Sequence, residues 1–160
     1  MTYNKFEVGK CGLDSLAKNL ILYFTGITRN ASEVLSKHKL AIENGDKKIR
    51  LKFEKNHSFS IQFEKYLTKG DFDSYGSLLN EYWQNKKSMS SNTTSRDIDS
   101  MYEVALANSA LGGKIIGAGG GGFLLLYTID YEKTVNAMEK YKLKKIDFNF
   151  SNQGVELLDV

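Results

Sequence analysis

The chain has 160 residues, 41% of them hydrophobic and 26% charged, which suits one soluble domain with one sizeable core. Its net charge of +3, from 22 basic and 19 acidic residues, includes no dense basic stripe, and no apolar run approaches the roughly 20 residues that span a membrane, so neither nucleic acid nor a bilayer is an expected partner. Cys11 is the only cysteine, which excludes an intrachain disulfide or a thiolate zinc site, and the beginning lacks an apolar leader core, which points to the cytoplasm.

In chain order, Asn19 to Ile27 is a short apolar and aromatic run ended by Thr25-Gly26, read as a buried strand opening into a loop. A helix is expected next, capped by Asn30 with Glu33 three residues on, carrying Ala31, Val34, Leu35 and Ala41 up to Asn44-Gly45. Residues 47 to 69 are ambiguous. Ile49, Leu51, Phe53, Phe59, Ile61 and Phe63 alternate as in a hairpin turning at Asn56-His57, yet Ile49 with Phe53 and Phe59 with Phe63 also meet at the i,i+4 spacing of a helix.

Asp71 fits the cap of a helix whose Phe72, Tyr75, Leu78, Leu79, Tyr82 and Trp83 recur at three- and four-residue steps. After the polar stretch Ser88 to Ser95, Thr94 and Asp97 fit a cap and third-position acid for a helix that Leu111-Gly112-Gly113 ends. Phe123 to Tyr127 has the length and aromatic content of a central strand, and residues 131 to 142 return to helical spacing. Ile146 to Phe150 alternates as a strand, and Ser151 to Gly154 turns into a partner strand over Val155 to Val160. Helices interleaved with a mainly antiparallel sheet define an α+β domain.

Residues 112 to 122 hold seven of the fourteen glycines, four of them consecutive. Glycine loses much conformational freedom on folding, so such a run implies a bend in which side chains are not tolerated. Gly117, Gly119 and Gly122 satisfy G-x-G-x-x-G, but a strand and not a helix follows, so a dinucleotide fold is rejected; the P-loop fails for want of Gly-Lys-Ser/Thr. Two readings stay open: an anion nest of backbone amides, or a tight structural connection between strands. His38 and His57 have no partner at metal-ligand spacing, and no metal site is expected.

Three ordered segments resemble the GHMP kinase superfamily, and within it the branch of heptose 7-phosphate kinase and bacterial fucokinase: Tyr23 to Ser32, Trp83-x-x-Lys86-Lys87-Ser88-Met89, and Gly113 to Leu125. The resemblance implies a ferredoxin-like C-terminal domain of about four strands, helix over 47 to 69, and a role in an ATP- and Mg-dependent sugar or sugar-phosphate kinase. It implies phosphate or substrate contacts from Thr25, Gly26, Thr28, Arg29, Lys86 and Lys87 and from the bend Gly117, Ala118, Gly119, Gly120, Gly121 and Gly122. The family's ATP loop and catalytic acid lie in an N-terminal domain, whereas this chain has no proline and no Gly-x-Gly-Ser-Ser run. Residues 1–160 are therefore expected to be the C-terminal domain alone, without its ATP-binding partner domain, inactive and free of ATP by itself, its catalytic residues unassigned and its docking face prone to self-association. The alternative is a noncatalytic binding module with a purely structural glycine turn.

Overall fold

A computed structural model describes residues 8, 10–28, 36, 40, 43, 45, 47–89, 93–117 and 120–151. In chain order they form α1 (Lys10–Lys18), β1 (Leu20–Phe24), α2 (Lys47–Lys69), α3 (Phe72–Lys87), α4 (Arg96–Ala107), β2 (Ala110–Ile116), β3 (Phe123–Thr128), α5 (Tyr131–Met138), a 3₁₀ turn (Glu139–Tyr141) and β4 (Lys144–Lys145). The strands pair in the order β2-β3-β1-β4, every neighbour antiparallel. This is the expected α+β layout. The helix expected from Asn30 to Asn44 and the strand from Val155 to Val160 lie almost entirely outside the described residues.

Alternation along β1 and β3 divides the core in two. Ile21, Tyr23, Leu124 and Leu126 join Trp83, Ile98, Tyr102 and Ile115 on one side of the sheet. Leu20 and Tyr127 join Leu16 and Leu79 on the other, with Phe63 and Tyr75 packed around them. Successive strand side chains point to opposite faces, so a continuous apolar run is needed only where both faces are covered, as they are on β3.

Residues 47 to 69 form one helix, the alternative that the resemblance implied, and not the hairpin that the period of two suggested. Phe59 and Phe63 turn inward onto Tyr82, with ring centroids 5.7 and 6.0 Å apart. Leu51 and Ile61 are 63% and 58% exposed, and these outward apolar residues produced the misleading period of two. Asp71 caps α3 as expected, its carboxylate accepting from the Ser74 amide at 3.2 Å. α3 lies against β2 at Gly76 and Gly112: a Cβ on Gly112 would run into the Gly76 carbonyl and come within 2.6 Å of the Asn80 amide nitrogen. Gly112 is thus a close-packing residue.

Three expected boundaries move. Ser95, not Thr94, caps α4, its hydroxyl accepting from Ile98 N–H at 3.3 Å, while Thr94 donates to Asp99 at 3.1 Å. The helix stops at Ala107, where the Asn108 side chain bonds back to the Val104 carbonyl at 2.8 Å and Ser109 takes φ +77°, so Leu111-Gly112-Gly113 is strand and not a helix end. β4 is two residues long, followed by one further bond from Ile146 N–H to the Leu22 carbonyl at 2.8 Å. Residues 146 to 150 are not a strand; Phe148 packs on the second core cluster and against Phe150, 5.9 Å between ring centroids.

Candidate functional site at the glycine bend

The connection between β2 and β3 is fastened from four places. Thr25, just past β1, donates its amide and its hydroxyl to the Gly122 carbonyl, both at 2.9 Å. The Gly122 amide donates to the Ile27 carbonyl at 2.7 Å, and the Gly120 amide to the Thr93 carbonyl at 2.6 Å. Lys86, in the last turn of α3, donates Nζ to the Gly117 carbonyl at 2.7 Å. The Thr25-Gly26, Lys86 and glycine segments, far apart in sequence, meet at one bend.

Glycine is required there for two reasons. Gly117, Gly120 and Gly122 have φ of +101°, +75° and +95°, a region that disfavours a Cβ. Gly121 is pressed on Ile27, where a Cβ would overlap the carbonyl oxygen and lie 2.9 Å from its carbon.

The nest of free amides is corrected at two positions, because Gly120 and Gly122 donate inward to hold the bend in place. Gly121 N–H has no acceptor among the described residues. The Thr25 hydroxyl is likewise committed, donating to Gly122 and accepting from Ile27 N–H at 3.3 Å, and Thr25 is buried, so it shapes the loop. Gly26, at φ +72°, and Thr28 are exposed beside it. Ala118, Gly119 and Arg29 lie outside the described residues.

The two lysines part company. Lys87 forms an ion pair with Asp99 at 3.0 Å, beside the Thr94 bond to the same oxygen. Lys86 faces the bend with no carboxylate among the described residues, and burial together with the neighbouring Lys114 charge lowers its pKa to about 8. Burial lowers Lys114 as well, its ammonium 4.8 Å from the Tyr82 ring centroid. Sequence reasoning missed Thr93, Tyr82 and Lys114. Thr93 is one of several hydroxyl residues in a polar stretch, and nothing marks it out; Lys114 stands between Gly113 and Ile115 with no periodic signal for a lysine on a covered face.

Among the described residues no three His, Cys, Asp or Glu side chains gather as a metal site, and no helix is long and apolar enough to cross a membrane.

The family described as GHMP kinases C terminal matches residues 63–142, half of the chain. D-glycero-alpha-D-manno-heptose 7-phosphate kinase of Campylobacter jejuni subsp. jejuni is 30% identical over 143 residues, 88% of this chain and 42% of that protein. L-fucokinase/L-fucose-1-P guanylyltransferase of Bacteroides fragilis is 28% identical over 116 residues, 72% of this chain and 12% of that protein. Among solved structures, a D-glycero-D-manno-heptose 1-phosphate kinase from Bacteriodes thetaiotaomicron shares the fold at TM-score 0.56 and 23% identity, over 89% of this chain and 36% of that one. The chain spans less than half the length of the curated relatives it matches. With the four-stranded antiparallel sheet and the fastened glycine bend in place, this match shows that the chain belongs to the GHMP kinase family, as its C-terminal domain.

Proposed function

We propose that the chain is the C-terminal domain of an ATP-dependent sugar or sugar-phosphate kinase of the heptose 7-phosphate kinase type. The observation that carries this reading is the convergence of Thr25-Gly26, Lys86 and the glycine bend at one place, in a chain 30% identical to such a kinase. Phosphoryl transfer needs positioning and charge neutralisation more than covalent chemistry. The bend contributes a rigid wall: Gly117, Gly120, Gly121 and Gly122 keep side chains out, Thr25 and Thr93 hold the backbone, and Gly121 N–H and the remaining Lys86 donors are available to a phosphate or sugar oxygen. Gly26 and Thr28 belong to the same proposed surface, Lys87 supports it through Asp99, and Arg29, Ala118 and Gly119 are proposed as further contacts on the resemblance alone.

ATP and Mg enter with the N-terminal domain in this reading. Among the described residues the carboxylate tied to this neighbourhood, Asp99, is committed to Lys87 and Thr94, so these residues do not fit a magnesium site and no step is assigned to the ion here.

A second reading, a noncatalytic binding module with a structural turn, is favoured by one observation: the Gly120 and Gly122 amides are used inside the fold. Joining this chain to the N-terminal part of the Campylobacter relative separates the two. The kinase reading expects the chimera to phosphorylate heptose 7-phosphate with ATP, the 160-residue chain to bind no nucleotide, and Lys86→Met to reduce turnover while leaving the unfolding midpoint near wild type. A folded chimera without phosphoryl transfer supports the binding module.

A further inference from the structure

Away from the bend's amides, a groove of about 440 Å³ runs between α2, α3 and the face of β2 and β3 that carries Lys114, Ile116 and Leu125. That volume lies within the range of small-molecule sites. Its wall is aromatic: Phe59 and Phe63 from α2, and Tyr75 and Tyr82 from α3. Phe63 stacks obliquely on Tyr75 with centroids 5.1 Å apart and meets Tyr82 edge-on, so the rings are fixed against one another before anything enters.

Among the described residues one cation lines this apolar space. Lys114 projects from β2 over the Tyr82 ring and has no hydrogen-bond acceptor or carboxylate among the described residues. Lys86 sits one helical turn beyond Tyr82 and spends one N–H on the Gly117 carbonyl, three residues past Lys114. An ammonium carries three donors, and Lys114 spends none of them on an acceptor among the described residues. A half-buried ammonium with no counter-charge among the described residues is unfavourable unless an anion joins it.

We propose that this groove binds a small organic anion, Lys114 taking its anionic group while the rings of Tyr82, Tyr75, Phe63 and Phe59 take an apolar or ring-shaped body. A phosphate monoester and a carboxylate share the required chemistry, and the probes distinguish them. The inference is independent of the kinase reading, since it uses neither a phosphoryl donor, nor the bend's amides, nor Lys86.

The test titrates the 160-residue chain with phenyl phosphate, benzoate and inorganic phosphate, following backbone amide resonances of Lys114, Tyr82 and Leu125. Phenyl phosphate is expected to saturate and to bind about tenfold more tightly than inorganic phosphate, the difference one buried ring face supplies. Benzoate matching phenyl phosphate assigns the site to carboxylates, and benzoate trailing it assigns the site to phosphate monoesters. Lys114→Met keeps the length and apolar stem of the side chain and is expected to weaken the tighter ligand about tenfold. Tyr82→Leu is expected to remove the preference for the ring while leaving inorganic phosphate unchanged. Equal affinity for phenyl and inorganic phosphate, no loss in Lys114→Met, or no saturable response to any probe overturns the proposal. Kinase activity in the chimera is unaffected by those outcomes, so the two readings fail separately.

Discussion

Lys86 and Gly117, 31 residues apart in sequence, are joined by a 2.7 Å hydrogen bond from the ammonium to the backbone carbonyl. This makes the last turn of α3 the clamp on one end of the glycine bend. The cation is held there by geometry, at the cost of partial desolvation beside Lys114.

That cost has a pH signature. The pKa of Lys86 falls from the ordinary 10.5 to about 8, so between those values the unfolded chain binds more protons than the folded one, and stability rises with pH. Urea unfolding of the wild type at a series of pH values is expected to show this rise from about pH 8 to about pH 10, reduced in Lys86→Met. Above that window the sign reverses. Tyr23 and Tyr127 are raised to about 12, chiefly by burial, so native phenols stay protonated where unfolded ones ionise, and stability falls. A rise of the same size in Lys86→Met would remove Lys86 as its cause.

Gly121 and Gly117 are glycines for different reasons, and alanine tells them apart. Gly121→Ala forces a methyl group onto the Ile27 backbone, an overpacking expected to cost about 1–3 kcal/mol in equilibrium unfolding and to displace the Thr25-Ile27 segment. Gly117→Ala meets nothing within 4 Å and pays only for φ +101°, about 1–2 kcal/mol. Amide shifts at Ile27 that move in the second variant and stay still in the first would contradict this assignment.

At the start of α4 the hydroxyls of Thr94 and Ser95 have separate tasks. Ser95→Ala removes the acceptor for Ile98 N–H and is expected to lower stability by about 1 kcal/mol. Thr94→Val leaves the cap intact, and the Lys87-Asp99 pair continues to hold Asp99, so a loss of less than about 0.5 kcal/mol is expected. Thermal midpoints of the two variants decide between the caps.

Tyr127 fixes the second core cluster to α3. Its hydroxyl donates to Asp73 at 2.8 Å and accepts from the Asn19 amide at 3.1 Å. Tyr127→Phe leaves the ring in place beside Gly76 and is expected to cost about 1–2 kcal/mol, with part of the alkaline loss of stability disappearing. Unchanged urea midpoints would show that water replaces both bonds without penalty.

Legibility followed how local each determinant is. Asp71 was readable as a cap because its partner is the Ser74 amide three residues on. Phe123 to Tyr127 was readable because central strands are apolar throughout. Residues 47 to 69 were not, since only packing against Tyr82 decides that Phe59 and Phe63 go in while Leu51 and Ile61 stay out. Gly112 was misread as a helix end because its real neighbours, Gly76 and Asn80, belong to another helix.

By itself the order of residues determined a glycine bend between strand-like runs, a family likeness spread over three segments, and the exclusion of a disulfide within these 160 residues, because each depends on residue identity or near-neighbour spacing. Tertiary structure alone decided how the bend's polar atoms are used. Whether an amide faces a ligand or a carbonyl depends on which distant backbone is folded against it, and here Thr93 and Ile27 claim Gly120 and Gly122 while Lys86 meets no carboxylate among the described residues. Those pairings form only when α3, the end of β1 and the loop before α4 close on one side of the hairpin.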